Sequence, residues 1–269
     1  MNSITREDIK TMINVLVNLH EQTAQFINEY EPEPLPGSIA ENELTNFAQP
    51  DKVKDAYIQG NFLIEGVADH LVAFTRTVTE PAGSISPWTC TRAALESAAL
   101  ASWLMQTGID VNERVKRSFT FRYEGLRQQL KVVRAANQAD KVTTVENRIH
   151  KVENDALQLG YPQITNYHGI TSIIASTFDE EITYRLMSAV AHGHLWAIHQ
   201  VGFKLEDGEN LILHKHLEPL MAAFLCIKIA NFLAKPVWLK CQLFGWDYDR
   251  LRSILTTTFS DLGSSWVEP

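Results

Sequence analysis

The sequence predicts an all-α fold, a multi-helix bundle with a small β-hairpin near residues 203–213, and three observations carry that prediction. Apolar residues recur at three-to-four spacing through most of the chain, which is the signature of helices with one side turned to a core. Short extended runs around a turn signal occur once only, at Phe203–Leu213 with Asp207-Gly208 between them. Proline and glycine gather between the periodic stretches, at 31–50, 81–87 and 160–162. With 269 residues, 45% of them hydrophobic, the chain can bury a full core. It reads as a single helical domain over 1–259, with 31–50 as a linker or surface excursion and 260–269 as a flexible tail.

The elements follow in order. Thr5 with Asp8 three residues later opens a helix, and Ile9, Met12, Ile13, Leu16, Val17 and Phe26 carry its period to about Glu29. Pro32, Pro34, Pro36 and Gly37 then forbid a continuous helix, since each proline removes a backbone donor. Pro50 and Asp51 start a second long helix that runs to about Val78, in which Gly60 and Gly66 would let a neighbour come close. Ser86-Pro87 restarts the chain into an alanine-rich segment to Met105 that is apolar nearly all round, so it is expected to be the central, most buried helix. Ile109 to about Gln138 and Asp140 to Leu159 form a polar helical hairpin ended by Gly160-Tyr161-Pro162. Phe178-Asp179-Glu180-Glu181 puts acids in the first turn of a helix expected to run unbroken to about Val201. A second core helix begins near His216, is too short and interrupted to span a bilayer, and tolerates a kinked continuation past Pro236; a last helix carries Tyr248, Leu251, Ile254 and Leu255.

Charge narrows the function classes. The formal net charge is −8, and the acidic excess lies in the first 80 residues. The hairpin helix after Gly108 is the most basic part, with Arg117, Arg122, Arg127 and Lys131 interleaved with Phe119, Phe121 and Tyr123. Cations that track a backbone and rings that stack bases are the parts of a single-stranded RNA groove, although a charged helix face is most often simply solvated. Cys90, Cys226 and Cys241 show no metal-ligand or disulfide spacing and suit a reducing compartment. No basic segment followed by an apolar run begins the chain, so a cytoplasmic protein without a membrane span is expected. His192, His194, His199, His214 and His216 include close pairs, but residues two apart on a helix point to different sides and no HExxH accompanies them, so no metal is expected. Without a P-loop, a GxGxxG after a strand or a GxSxG, no cofactor is expected either.

The candidate site is Arg185, Ser188 and His192, which helical spacing places on one face. Histidine can take or give a proton near neutral pH, while arginine stays charged and forks onto phosphate oxygens. A base and a phosphate clamp suffice for RNA cleavage through attack of the ribose 2′-hydroxyl on its own phosphodiester, with no metal required. On the central helix Arg92 and Glu96 stand four apart, as a structural pair fixing helix register or as lining of the same site; exposed, such a pair is worth about 0.2–0.5 kcal/mol.

The run Tyr184-Arg185-Leu186-Met187-Ser188-Ala189-Val190-Ala191-His192-Gly193, with Arg92-Ala-Ala-Leu-Glu96 earlier, resembles the arginine, four to six residues, histidine motif of the HEPN superfamily (higher eukaryotes and prokaryotes nucleotide-binding), in particular uncharacterised bacterial members. The resemblance covers about Ser86 to His199. It implies a helical homodimer and, in active members, a metal-independent endoribonuclease of toxin–antitoxin or phage-defence settings, whose arginine and histidine meet their symmetry mates. An antitoxin or other protein partner is implied with it. Active members commonly carry a polar residue directly after the arginine, where this chain has Leu186, so that Ser188 is the nearest hydroxyl. Two readings follow. In one, His192 is the general base or acid, Arg185 clamps phosphate and Ser188 orients it. In the other the protein is a non-catalytic helical interaction or regulatory module, in which Arg185 pairs with Glu96 and His192 is satisfied inside the core.

Overall fold

A computed structural model describes residues 4–30, 33–164, 168–206, 212–215 and 217–269. Helices α3 (Pro50–Val78) and α4 (Ser86–Leu104) lie along each other and set the frame. At Gly60 a Cβ would come within 2.3 Å of Met105 Cε, the end of a flexible side chain, and at Gly66 it would make ordinary contact with Ser97 Oγ at 3.6 Å. Of the two glycines, only Gly60 would require its neighbour to move. Helix α4 is apolar on almost every side, with Trp88, Ala94, Leu95, Ala98, Ala99 and Leu104 buried, and so occupies the middle of the bundle as its composition predicts. Around it stand α3, α5 (Val111–Ala135), α7 (Gly169–Phe178), α8 (Glu181–Ala191) and α10 (Pro219–Phe244).

Helix α1 (Arg6–Tyr30) begins at the Thr5/Asp8 pair: the Asp8 amide donates to Thr5 Oγ1 and the Thr5 amide to Asp8 Oδ2, reciprocally satisfying two free donors. The Thr5 amide and the Thr5 hydroxyl both donate to Asp8 Oδ2 and hold that carboxyl below its ordinary pKa of 3.8. Its buried stripe, Ile9, Met12, Leu16, Leu19 and Phe26, faces α3, α10 and α11 (Tyr248–Asp261). Helix α10 continues through Pro236 to Phe244, ten residues beyond the stretch expected to form its core. Among the described residues it is the one helix long and apolar enough to cross a membrane by length and composition, which corrects the expectation that it is too short and interrupted to do so, and most of its apolar window is buried inside the protein.

Residues 31–50 depart from a plain excursion. Ser38 accepts from the Glu41 amide and caps a short helix α2 (Ile39–Asn46). From it Glu43 reaches the guanidinium of Arg114, which is fully buried on α5: Nε donates to Oε2 at 2.8 Å and Nη2 to Oε1 at 3.1 Å. Arg114 also donates to the carbonyls of Leu104 and Gln106, and the Tyr57 hydroxyl donates to Glu43. Burial pushes the Tyr57 phenol well above its ordinary range, so it stays a donor. Gly245, at φ +72°, ends α10 under this segment, where a Cβ would press within 2.9 Å of Ser38 Cβ.

Helices α5 and α6 (Ala139–Gln158) form the expected antiparallel hairpin, and Lys52 at the start of α3 binds Asp155 at 2.7 Å to hold α6. Strands β1 (Phe203–Glu206) and β2 (Ile212–Lys215) pair antiparallel, with Phe203 opposite Lys215, as the hairpin prediction requires; its Asp207-Gly208 turn lies outside the described residues. In the C-terminal segment, mostly exposed beyond Leu262, two residues make contacts. Half-buried Trp266 sits against Phe259 and Trp238, and Arg252 Nε donates to Glu268 at 2.5 Å.

Candidate functional site

Helix α8 carries the candidate face, and its sequence decides where it stops. The chain was expected to stay helical to about Val201, but it breaks after Ala191. Gly193 takes φ +75°, its amide donates to Val190 O at 3.1 Å, and the His194 amide donates to Ala189 O at 2.9 Å. This pair of bonds is the Schellman arrangement, which a glycine permits because it has no Cβ to clash in the left-handed region. His192 is thus the C-terminal cap of α8 at φ −85°, ψ 3°, and α9 (Leu195–Gly202) restarts in a new direction. The cap keeps near-helical angles, so the seven-residue step from Arg185 still brings His192 to the same side.

Both side chains are open to solvent. Arg185 is 68% exposed and its Nε and Nη2 donate to Glu181 Oε1, one turn back, at 2.9 and 2.7 Å. His192 is exposed. Among the described residues no hydrogen bond joins these two side chains, or either of them to Glu96.

Ser188 has a different environment from its two neighbours. Its Oγ accepts from Arg92 Nε at 3.0 Å, at a half-buried position between α8 and α4. Arg92 Nη2 meets Glu96 Oε1 at 2.7 Å, and the Tyr184 hydroxyl donates to the same Glu96 oxygen at 3.0 Å. The guanidinium of Arg92 lies 5.6 Å from the Tyr184 ring centroid. Two i,i+4 pairs on antiparallel helices therefore interlock, Arg92 to Ser188 and Glu96 to Tyr184. Glu96 Oε1 accepts from both Arg92 and Tyr184 while Arg185 pairs with Glu181, which corrects the expectation that Arg185 would pair with Glu96, and His192 is exposed rather than in the core. Tyr184 was visible in the motif but carried no assigned role; the four-residue spacing it shares with Ser188, matching Arg92 and Glu96, is the signal that links them.

The basic face of α5 is largely spoken for. Arg117 is turned inward, with Nη1 donating to the Trp103 carbonyl at 2.7 Å and Nε to Glu113 at 2.9 Å. Arg122 faces Asp55 at 3.4 Å, Arg127 faces Glu124 at 3.8 Å, and Lys131 donates to Gln128 at 3.3 Å. Of the four, Arg122, Arg127 and Lys131 remain exposed, and exposed pairs of this kind are worth about 0–1 kcal/mol and exchange partners readily. Among the described residues no three His, Cys, Asp or Glu side chains are grouped to hold a metal ion. The side chains of His214 and His216 lie outside the described residues.

No family model, characterised protein or solved structure matches this chain.

Proposed function

We propose that this protein is a HEPN-like, metal-independent endoribonuclease acting on single-stranded RNA, in a toxin or phage-defence setting and as a homodimer. Arg185 clamps the scissile phosphate and His192 moves the proton of the attacking 2′-hydroxyl. Ser188 belongs to the support of the site: with its hydroxyl accepting from Arg92, it fixes the rotation of α8 so that the other two residues face outward together. The observation that supports the reading is the exposure of Arg185 and His192 on one side of α8, neither spent on a buried partner. Arg185 is held only by an exposed pair with Glu181, which a phosphate can displace at little cost. The exposed cations of α5 would carry flanking RNA in exchange for their present carboxylate partners.

One observation favours the alternative of a non-catalytic interaction protein. Ile182 at 86%, Leu195 at 75% and Trp196 at 59% exposure present apolar surface on α8 and α9 beside the same residues. The experiment that separates the two readings is incubation of the purified chain with single-stranded RNA in excess chelator. The expected result is cleavage that His192→Ala reduces by at least about a hundredfold, the usual worth of general acid–base catalysis, with a melting temperature close to that of the parent because the side chain is exposed. Absent cleavage, or cleavage equal in His192→Ala, sinks the nuclease reading.

A further inference from the structure

A cleft of about 620 Å³ is lined by the first turns of α1, the end of α3 with the loop after it, and the first turn of α10. No residue of α8 or α9 lines it. Its volume is that of a small-molecule site. Ile9 and Ile13 on one side, Val78 on another, and Leu217 and Ala222 on the third make its walls apolar. Arg6, Lys10 and Asn14 stand on the α1 side and Thr79 and Glu80 at the end of α3, so the cleft has apolar walls and a charged lip.

The charge at that lip runs against the rest of the chain. The first 50 residues contain one arginine and one lysine, Arg6 and Lys10, and both line this cleft. Glu80 also lines it and pairs with Arg6 at 3.1 Å across the mouth, while Lys10 pairs with Glu7 along α1 at 2.9 Å. All four side chains are more than half exposed, so these pairs contribute little and either cation can re-partner. From the third wall comes the start of α10, a helix of 26 residues with Pro219 in its first turn, whose backbone dipole is positive at that end. An apolar cavity, two local cations in an acidic region and the positive end of a long helix together select one chemistry.

We propose that this cleft binds an amphiphile with a single carboxylate head and an unbranched apolar body, of the medium-chain fatty acid class. The chain of the ligand lies along Ile9, Ile13, Val78 and Ala222, and its carboxylate meets Lys10 at the lip. The site is independent of the nuclease reading, since it shares no residue with it.

Calorimetric titration of the full chain with dodecanoate, and with dodecyltrimethylammonium as the same chain carrying the opposite head, tests this. Dodecanoate below its micellar concentration is expected to bind saturably, one per chain, and about tenfold tighter than the cation. Lys10→Glu, a change at an exposed position, should weaken dodecanoate about three- to tenfold, the scale of reversing one partly screened charge. Ala82→Trp, which places an indole in the mouth from a surface loop, should abolish binding of both. No saturable binding of dodecanoate, equal binding of the two heads, or an isotherm that neither variant alters would overturn the assignment.

Discussion

Gly193 shows how much one residue decides. Its φ of +75° turns the chain after α8, makes His192 a cap rather than a mid-helix residue, and frees α9 to leave in its own direction. Open space surrounds the position a Cβ would take, so any cost of a side chain there is a backbone cost. Gly193→Ala is expected to destabilise by about 1 kcal/mol, or about 2–4 °C in melting temperature for a chain of this size. Gly125, inside α5 with equally open space and ordinary helical angles, should respond to the same change with the opposite sign, gaining about 0.5–1 kcal/mol. Thermal melts of the two variants check the pair, and equal signs would contradict the assignment of the turn. The Arg185–His192 spacing was legible in the sequence. The break was legible too in hindsight, because a glycine directly after a capping residue is a helix stop signal. What spacing could not convey is that Ser188 faces α4 and Arg185 does not, since two residues 60° apart on a helix can meet quite different neighbours.

At the scale of elements, the segment 31–50 was the least legible. Four prolines and scattered acids read as surface chain, and nothing local marks Glu43 as the partner of a residue 71 positions away. The reason is physical: an ion pair between distant elements leaves no periodic trace. Once the pair is known, Arg114 becomes intelligible as the fully buried cation of α5. Arg114→Met should cost about 3–5 kcal/mol, because it leaves Glu43 charged and without its partner, and strands the Leu104 and Gln106 carbonyls. Adding Glu43→Leu to that variant should recover part of the loss and no more, as the two carbonyls remain unserved. Urea unfolding of the single and double variants measures this; a loss below about 1 kcal/mol in Arg114→Met would show that the cluster does not hold α2 to the bundle. Helices α3, α4, α6 and α11, by contrast, were readable nearly to their ends, since they announce themselves by period, proline starts and glycine stops.

For the whole molecule, the all-α architecture follows from composition and period, and the central place of α4 follows from a segment that is apolar on every side. The placement of chemistry does not follow in the same way. Whether a cation is available to a ligand depends on which acid the fold brings to it, and this fold gives Asp55 to Arg122, Glu124 to Arg127 and the Trp103 carbonyl to Arg117. The Arg185–His192 face is left open while its support, Arg92, Glu96, Tyr184 and Ser188, is closed behind it. The account therefore stands on the chemistry of that face. Its most direct test is cleavage of a defined single-stranded RNA in chelator, beside the same oligonucleotide carrying 2′-deoxyribose at the cleaved position. Attack by the 2′-hydroxyl predicts a 2′,3′-cyclic phosphate end on the normal substrate and no cleavage at the substituted position. Cleavage there despite the missing hydroxyl, or dependence on added metal, would contradict the account.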